Sequence, residues 1–104
     1  MIIYNVTVKI NLEIESDWLL WMKSHHIPDV LNTGSFLKCR ILKLLIDETD
    51  GSTYAIQYDC ESQEVLDHYR THLSSTLQKD HTSRYEGKFV AFRTTLELIE
   101  ELVP

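Results

Sequence analysis

The stretch IIYNVTVKINLEI, residues 2–14, decides the fold. Ile2, Tyr4, Val6, Val8, Ile10, Leu12 and Ile14 fall on one side of an extended chain; Ile3, Asn5, Thr7, Lys9, Asn11 and Glu13 fall on the other. Successive side chains of a strand point to opposite faces, so a period of two over this length predicts a strand with one buried face. Beyond it, Ser16 is placed to cap a helix, with Asp17 at the positive end of its dipole. Trp18, Met22 and His25 share one helical stripe, with Leu19 and His26 beside it. Pro28 predicts a break or kink at Ile27, and a short turn from Asp29 to Asn32 should end at Gly34.

The rest of the chain supplies the remaining elements. Residues 35–46 form a second strand, Asp47 to Ser52 a turn containing Asp50-Gly51, and Thr53 to Glu61 a third strand. Ser62 caps a second helix that carries Val65, Leu66, Tyr69, Leu73 and Leu77 on one face. A polar stretch, Gln78 to Gly87, leads into a last strand, Lys88 to Thr95, and the tail LELIEELVP is open between strand and acidic helix. This order predicts a single α+β domain over residues 1–104. Its form is a ferredoxin-like βαββαβ sandwich, with four antiparallel strands in the order 4-1-3-2 and both helices on one face.

Pairing Asp47 with Ser52 sets Cys39 opposite Cys60, Ile41 opposite Tyr58 and Leu45 opposite Tyr54 on the helix side. Arg40 then meets Asp59, and Lys38 meets Glu61, on the other side. A two-residue Asp50-Gly51 loop would slide these pairs by two and keep each residue on its face. The helix-free face gathers Asn5, Thr7, Lys9, Asn11, Lys38, Arg40, Gln57, Asp59 and Arg93, mixed with Phe36, Leu42, Leu44, Ile46 and Ala55. Such a surface is too apolar for water and too polar for a dry core. It predicts a partner sheet, with polar groups lining the space between. By analogy with small ferredoxin-like folds, which pair sheet to sheet as α/β-barrel dimers with a central cavity, the expectation is a homodimer with a small-molecule pocket between the two faces.

Composition narrows the function. The chain has 16 acidic and 10 basic residues, a formal charge of -6, which argues against binding a nucleic-acid backbone. No window approaches the roughly 18 apolar residues of a membrane span, and no leader pattern opens the sequence, so the expected location is cytoplasmic. Cys39 and Cys60 are too few for a disulfide scaffold and are expected as reduced core thiols.

Candidate chemistry is sparse. Asn5, Thr7, Lys9, Arg40, Gln57 and Arg93 could hold a carboxylate or phosphate on a small ligand, although Asp59 and Glu61 are placed to neutralise Arg40 and Lys38. Among the histidines His25, His26, His72 and His81, His26 in HHIP is the candidate acid–base group, because the proline after Ile27 fixes the local chain. Trp18 reads as core and Trp21 as surface or interface. No nucleophile elbow, P-loop, dinucleotide fingerprint or zinc spacing occurs, and no metal or cofactor is expected.

Four segments, MIIYNVTV (1–8), WLLWMKSHHIPDVLNTGSF (18–36), TYAIQY (53–58) and HTSRYEGKFVAFRTTLE (81–97), resemble the family called domain of unknown function 4286. The resemblance implies a ferredoxin-like, dimeric α/β-barrel protein and brings no activity with it. The HIP…TG…F pattern is also loosely similar to the first-helix region of small barrel monooxygenases, without matching their chemistry residue by residue. Three readings follow. The first is a small-ligand-binding homodimer. The second is a cofactor-independent oxygenase or isomerase using His26 with Arg40 and Gln57, and the third an interaction module using the acidic tail, Glu97 to Glu101.

Overall fold

β1 (Ile2–Asn11) is a central strand from which the other elements can be placed. In the computed structural model, which describes residues 1–104, it pairs antiparallel with β3 (Gly51–Cys60) and with β4 (Phe89–Glu97). β2 (Lys38–Lys43) pairs with β3, so the order is β2-β3-β1-β4, the expected 4-1-3-2 read from the other edge. The expected apolar side of β1 is the buried one: Tyr4, Val8 and Ile10 pack in one core with Trp18, Ile56, Tyr58 and Leu66.

The strand is shorter than its alternation. Leu12–Ile14 wind as a 3-10 turn directly into α1 (Glu15–Trp21), and no side chain caps that helix, so Ser16 does not play the predicted part. A tertiary contact fixes the start instead. Glu15 accepts hydrogen bonds from the Tyr54 hydroxyl at 2.5 Å and the Ser52 hydroxyl at 2.9 Å, which pin α1 to β3. The Tyr54 bond is the main reason the Glu15 carboxyl titrates below its ordinary value.

Pro28 does not break the first helix. The chain stays helical through α1, a π-helical turn over Met22–His26 and α2 (Ile27–Leu31). The Ile27 N–H donates to the carbonyl of Met22, five residues back. A proline ring in regular α-geometry strikes the carbonyl four residues before it; the wider turn ahead of Pro28 relieves that clash. Trp21, expected at the surface or an interface, is buried on the inner side of this turn.

Ser62 caps α3 (Gln63–His72) as predicted, accepting from the Val65 N–H at 3.2 Å. α4 (Ser74–Arg84) follows at once and takes in most of the stretch expected as polar loop. Its inward side is supplied by Leu77 and His81, too few apolar residues to stand out in the sequence.

The hairpin register is displaced by two residues from the expected one. Cys39 faces Tyr58 instead of Cys60, Lys38 faces Asp59, and Arg40 faces Gln57. Asp50-Gly51 is not the tip. Gly51 already belongs to β3 opposite Asn11, and a Cβ there would lie 2.1 Å from the Ile10 carbonyl oxygen, so the glycine serves a close backbone approach. The loop over 44–50 is closed by the Glu48 carboxylate, which accepts from the Thr53 N–H and hydroxyl, each at 2.9 Å. A two-residue slide preserves faces, so the predicted sidedness of β2 survives.

Two residues do change sides. Phe36 is buried on the helix side against Tyr4, Tyr58 and Tyr69, with ring centroids 6.0, 4.9 and 4.7 Å away. Arg93 sits opposite Val6 and therefore also faces the helices. Cys39 and Cys60 are both free thiols, and burial raises the Cys39 thiol to about 11. Beyond Glu97 the tail has no regular structure, and no helix is long and apolar enough to cross a membrane.

Candidate functional site

Where the helices span β1 and β4 they leave a cavity of about 50 Å³, measured as space open to the centre of a water molecule. That is room for a few waters, or on the order of one small ring once they leave. Its floor is apolar, built by Val6 and Val8 of β1, Ile56 of β3 and Ala91 of β4. Tyr4, Tyr58, Tyr69 and Phe89 add aromatic rings. His26 enters from the π turn, Gln78, His81 and Thr82 from α4, and Arg93 from β4; no carboxylate lines it.

His81 is the best-defined of these groups. The Trp18 indole N–H donates to His81 Nε2 at 2.9 Å, deep in the core. An indole nitrogen can only donate, so Nε2 holds the lone pair and the imidazole proton sits on Nδ1. That Nδ1 has no hydrogen-bond partner in the chain and keeps some accessible surface, and His81 is one of the residues lining the cavity. Burial is the chief cause that lowers the His81 pKa to about 4, with His26 and Arg93 acting in the same direction. His81 is therefore neutral at pH 7.

His26 stacks on Trp21 with ring centroids 5.2 Å apart, and its ring lies 5.6 Å from that of His81. Its Nδ1 is sealed from solvent and has no hydrogen-bond partner. Burial lowers its pKa too, with Arg93 reinforcing the shift and Asp80 and Asp29 opposing it. Arg93 makes no ion pair and no side-chain hydrogen bond, although six other basic residues, Lys9, Lys38, Arg40, Lys43, Arg84 and Lys88, each find a carboxylate.

The other predicted residues collect on the opposite face of the sheet. Arg40 holds Asp59 through two bonds of 3.0 and 3.1 Å and reaches Gln57 Oε1 at 3.2 Å. Asn5 donates to the Thr7 and Thr94 hydroxyls, both at 3.1 Å, and leaves its own Oδ1 buried without a donor. Lys9 pairs with Asp50 at 2.9 Å and Glu48 at 3.4 Å. These groups mostly satisfy one another, and exposed Leu42, Val90, Phe92 and Leu96 surround them. His26 and Arg40 are thus on opposite sides of the sheet, which removes the arrangement in which His26 acts with Arg40 and Gln57. No three His, Cys, Asp or Glu side chains cluster in a way that could hold a metal ion.

Comparison with known proteins places this geometry. Residues 1–99 match the model of a domain of unknown function, DUF4286. The chain belongs to that family. No curated protein matches it by sequence. Among solved structures it is similar to HapK from Hahella chejuensis, with a TM-score of 0.71, 6% identity and coverage of 100% of this chain and 98% of that one. A putative antibiotic biosynthesis monooxygenase from Bacillus cereus gives 0.68 at 10% identity, covering 99% and 97% of the two chains. A dimeric ferredoxin-like protein from an uncultured marine organism gives 0.64 at 12% identity over all of both chains. At these identities the likeness establishes the ferredoxin-like fold of this DUF4286 chain.

Proposed function

We propose that this DUF4286 protein is a homodimer that binds a small organic molecule, one ligand in each chain between the helices and the sheet. The observation that carries the reading is the cavity itself. An unpartnered guanidinium and two imidazoles whose pKa values burial lowers meet over an apolar floor with no carboxylate in the wall. The polar groups of the helix-free face, where the sequence pattern places a ligand, are largely spent on each other. Exposed Leu42, Val90, Phe92 and Leu96 make that face a surface for a second copy, in keeping with solved neighbours named as dimeric ferredoxin-like proteins. The two unpaired thiols fit a cytoplasmic location.

A second reading is a cofactor-independent enzyme using the same cavity, and it has one specific observation in its favour. His26 and His81 both line the cavity with ring centroids 5.6 Å apart, which puts two candidate acid–base groups beside a bound ligand. A neighbour named as a putative antibiotic biosynthesis monooxygenase shares the fold.

Light scattering and a fragment screen test the proposal together. The indole N–H resonance of Trp18 reports on the cavity through its bond to His81. The expected result is a dimer at micromolar concentration and fragments that move the Trp18 indole signal. A monomer would remove the assembly, and hits confined to Asn5, Thr7 and Gln57 would move the site back to the helix-free face.

A further inference from the structure

We infer that the cavity selects a small carboxylate with a flat, single-ring apolar body, its carboxylate set between the Arg93 guanidinium and the His81 Nδ1–H. This rests on the reading of the cavity as the ligand site and names what that site takes.

Charge is the first ground. In a chain with six more acidic than basic residues, the cavity wall holds one arginine, two histidines and no acid. Arg93 is left unpaired, whereas Arg40, on the other face, is held by two bonds to Asp59. A guanidinium with no internal partner at the edge of an apolar cavity is matched to a planar anion, which it can bind through two parallel hydrogen bonds.

Donor direction is the second ground. Because Trp18 occupies the His81 lone pair, the nitrogen left free for a ligand, Nδ1, carries the proton and can only donate. A ligand meeting it must offer an acceptor oxygen. The wall therefore presents a cation and a fixed neutral donor, which suits a monoanion. A phosphate dianion would call for more positive charge or a glycine-rich turn of backbone N–H groups, and none of the three glycines lines the cavity.

Shape is the third ground. Tyr4, Tyr58, Tyr69 and Phe89 give the enclosure flat apolar walls, and its volume is that of roughly one ring.

Benzoate and its neutral isostere benzamide are the probes. Each is titrated into the full-length ¹⁵N-labelled chain, wild type, Arg93→Gln and Lys79→Gln, following the Trp18 indole N–H. Arg93 and Lys79 are both exposed, so each variant keeps its core and loses the same charge. The expected result is benzoate binding at least tenfold tighter than benzamide in the wild type and Lys79→Gln, with the preference gone in Arg93→Gln. Equal binding of the two probes to the wild type, or a preference that survives Arg93→Gln, overturns the inference while leaving a ligand cavity in place. No movement of the Trp18 signal with either probe counts against the cavity as a ligand site, and the inference falls with it.

Discussion

Replacing His81 by Gln should abolish most of the loss of stability that this fold undergoes between pH 7.5 and pH 5.0. His81 is 9% exposed, accepts from Trp18 at 2.9 Å, and has its pKa lowered to about 4 by burial, with His26 and Arg93 adding to the effect. In the unfolded chain the same imidazole titrates near 6.5. Between these values the unfolded state binds a proton that the native state does not, so stability is lost as pH falls through the window. Integrating the difference from pH 7.5 to pH 5.0 gives a loss of about 2 kcal/mol from this one group. Against a total of roughly 5–15 kcal/mol for a domain, that is a large change. Glutamine offers the indole an acceptor without titrating. Urea unfolding followed by tryptophan fluorescence, at fixed protein concentration because a dimer's stability depends on it, supplies the comparison. The wild type should lose about 2 kcal/mol more than the variant over this range. His26, shifted in the same direction, should leave the variant a smaller residual slope. Equal losses in both proteins would refute the account of His81 as a buried neutral base.

Three further outcomes follow from the fold. Gly51→Ala would force a Cβ to within 2.1 Å of the Ile10 carbonyl oxygen. It should lower stability by at least about 2 kcal/mol, seen as a drop in the urea midpoint with an unchanged slope. Arg40→Gln leaves Asp59, only 6% exposed, without its two-bond partner. After discounting for the partly exposed arginine, the cost is about 2 kcal/mol, and adding Asp59→Asn should restore part of it. Phe92→Lys, at a side chain 61% exposed in the single chain, should give a folded monomer: unchanged circular dichroism with halved mass by light scattering.

Where one face of an element is buried and the other wet, its pattern could be read directly. β1 alternates cleanly, and Ser62 followed by Leu66 and Tyr69 announced α3. The errors fall where tertiary contacts override local signals. Glu15 is fixed by Tyr54 and Ser52 from β3, so no capping residue was needed at Ser16. Asp50-Gly51 has the composition of a tight turn, but its glycine answers to the crowding of Ile10 across the sheet, and Glu48 closes the loop. Neither constraint lies within the span of residues that a pattern samples.

The site was hidden for two separable reasons, and both concern phase. β4 reads FVAFRTTLE: Phe89 and Ala91 lie on the side of Arg93, while Val90 and Phe92 lie on the other, so apolar residues occur on both faces and the period of two disappears. Without it, nothing in the strand says which way Arg93 points. Only its pairing opposite Val6, whose own side is fixed by the clean alternation of β1, assigns it to the helices. The first helix conceals its phase differently. Trp21 and His26 are five residues apart, and at 100° per residue a regular α-helix would set them about 140° apart around the axis. The π turn closes over five residues instead of four, which brings the two rings into a stack 5.2 Å apart and carries His26 to the cavity beside His81. Pro28 was the visible trace of this. It marked a departure from α-geometry at the right place, but the departure is a widening of the helix, and it puts an imidazole into the cavity where a break would have turned it away.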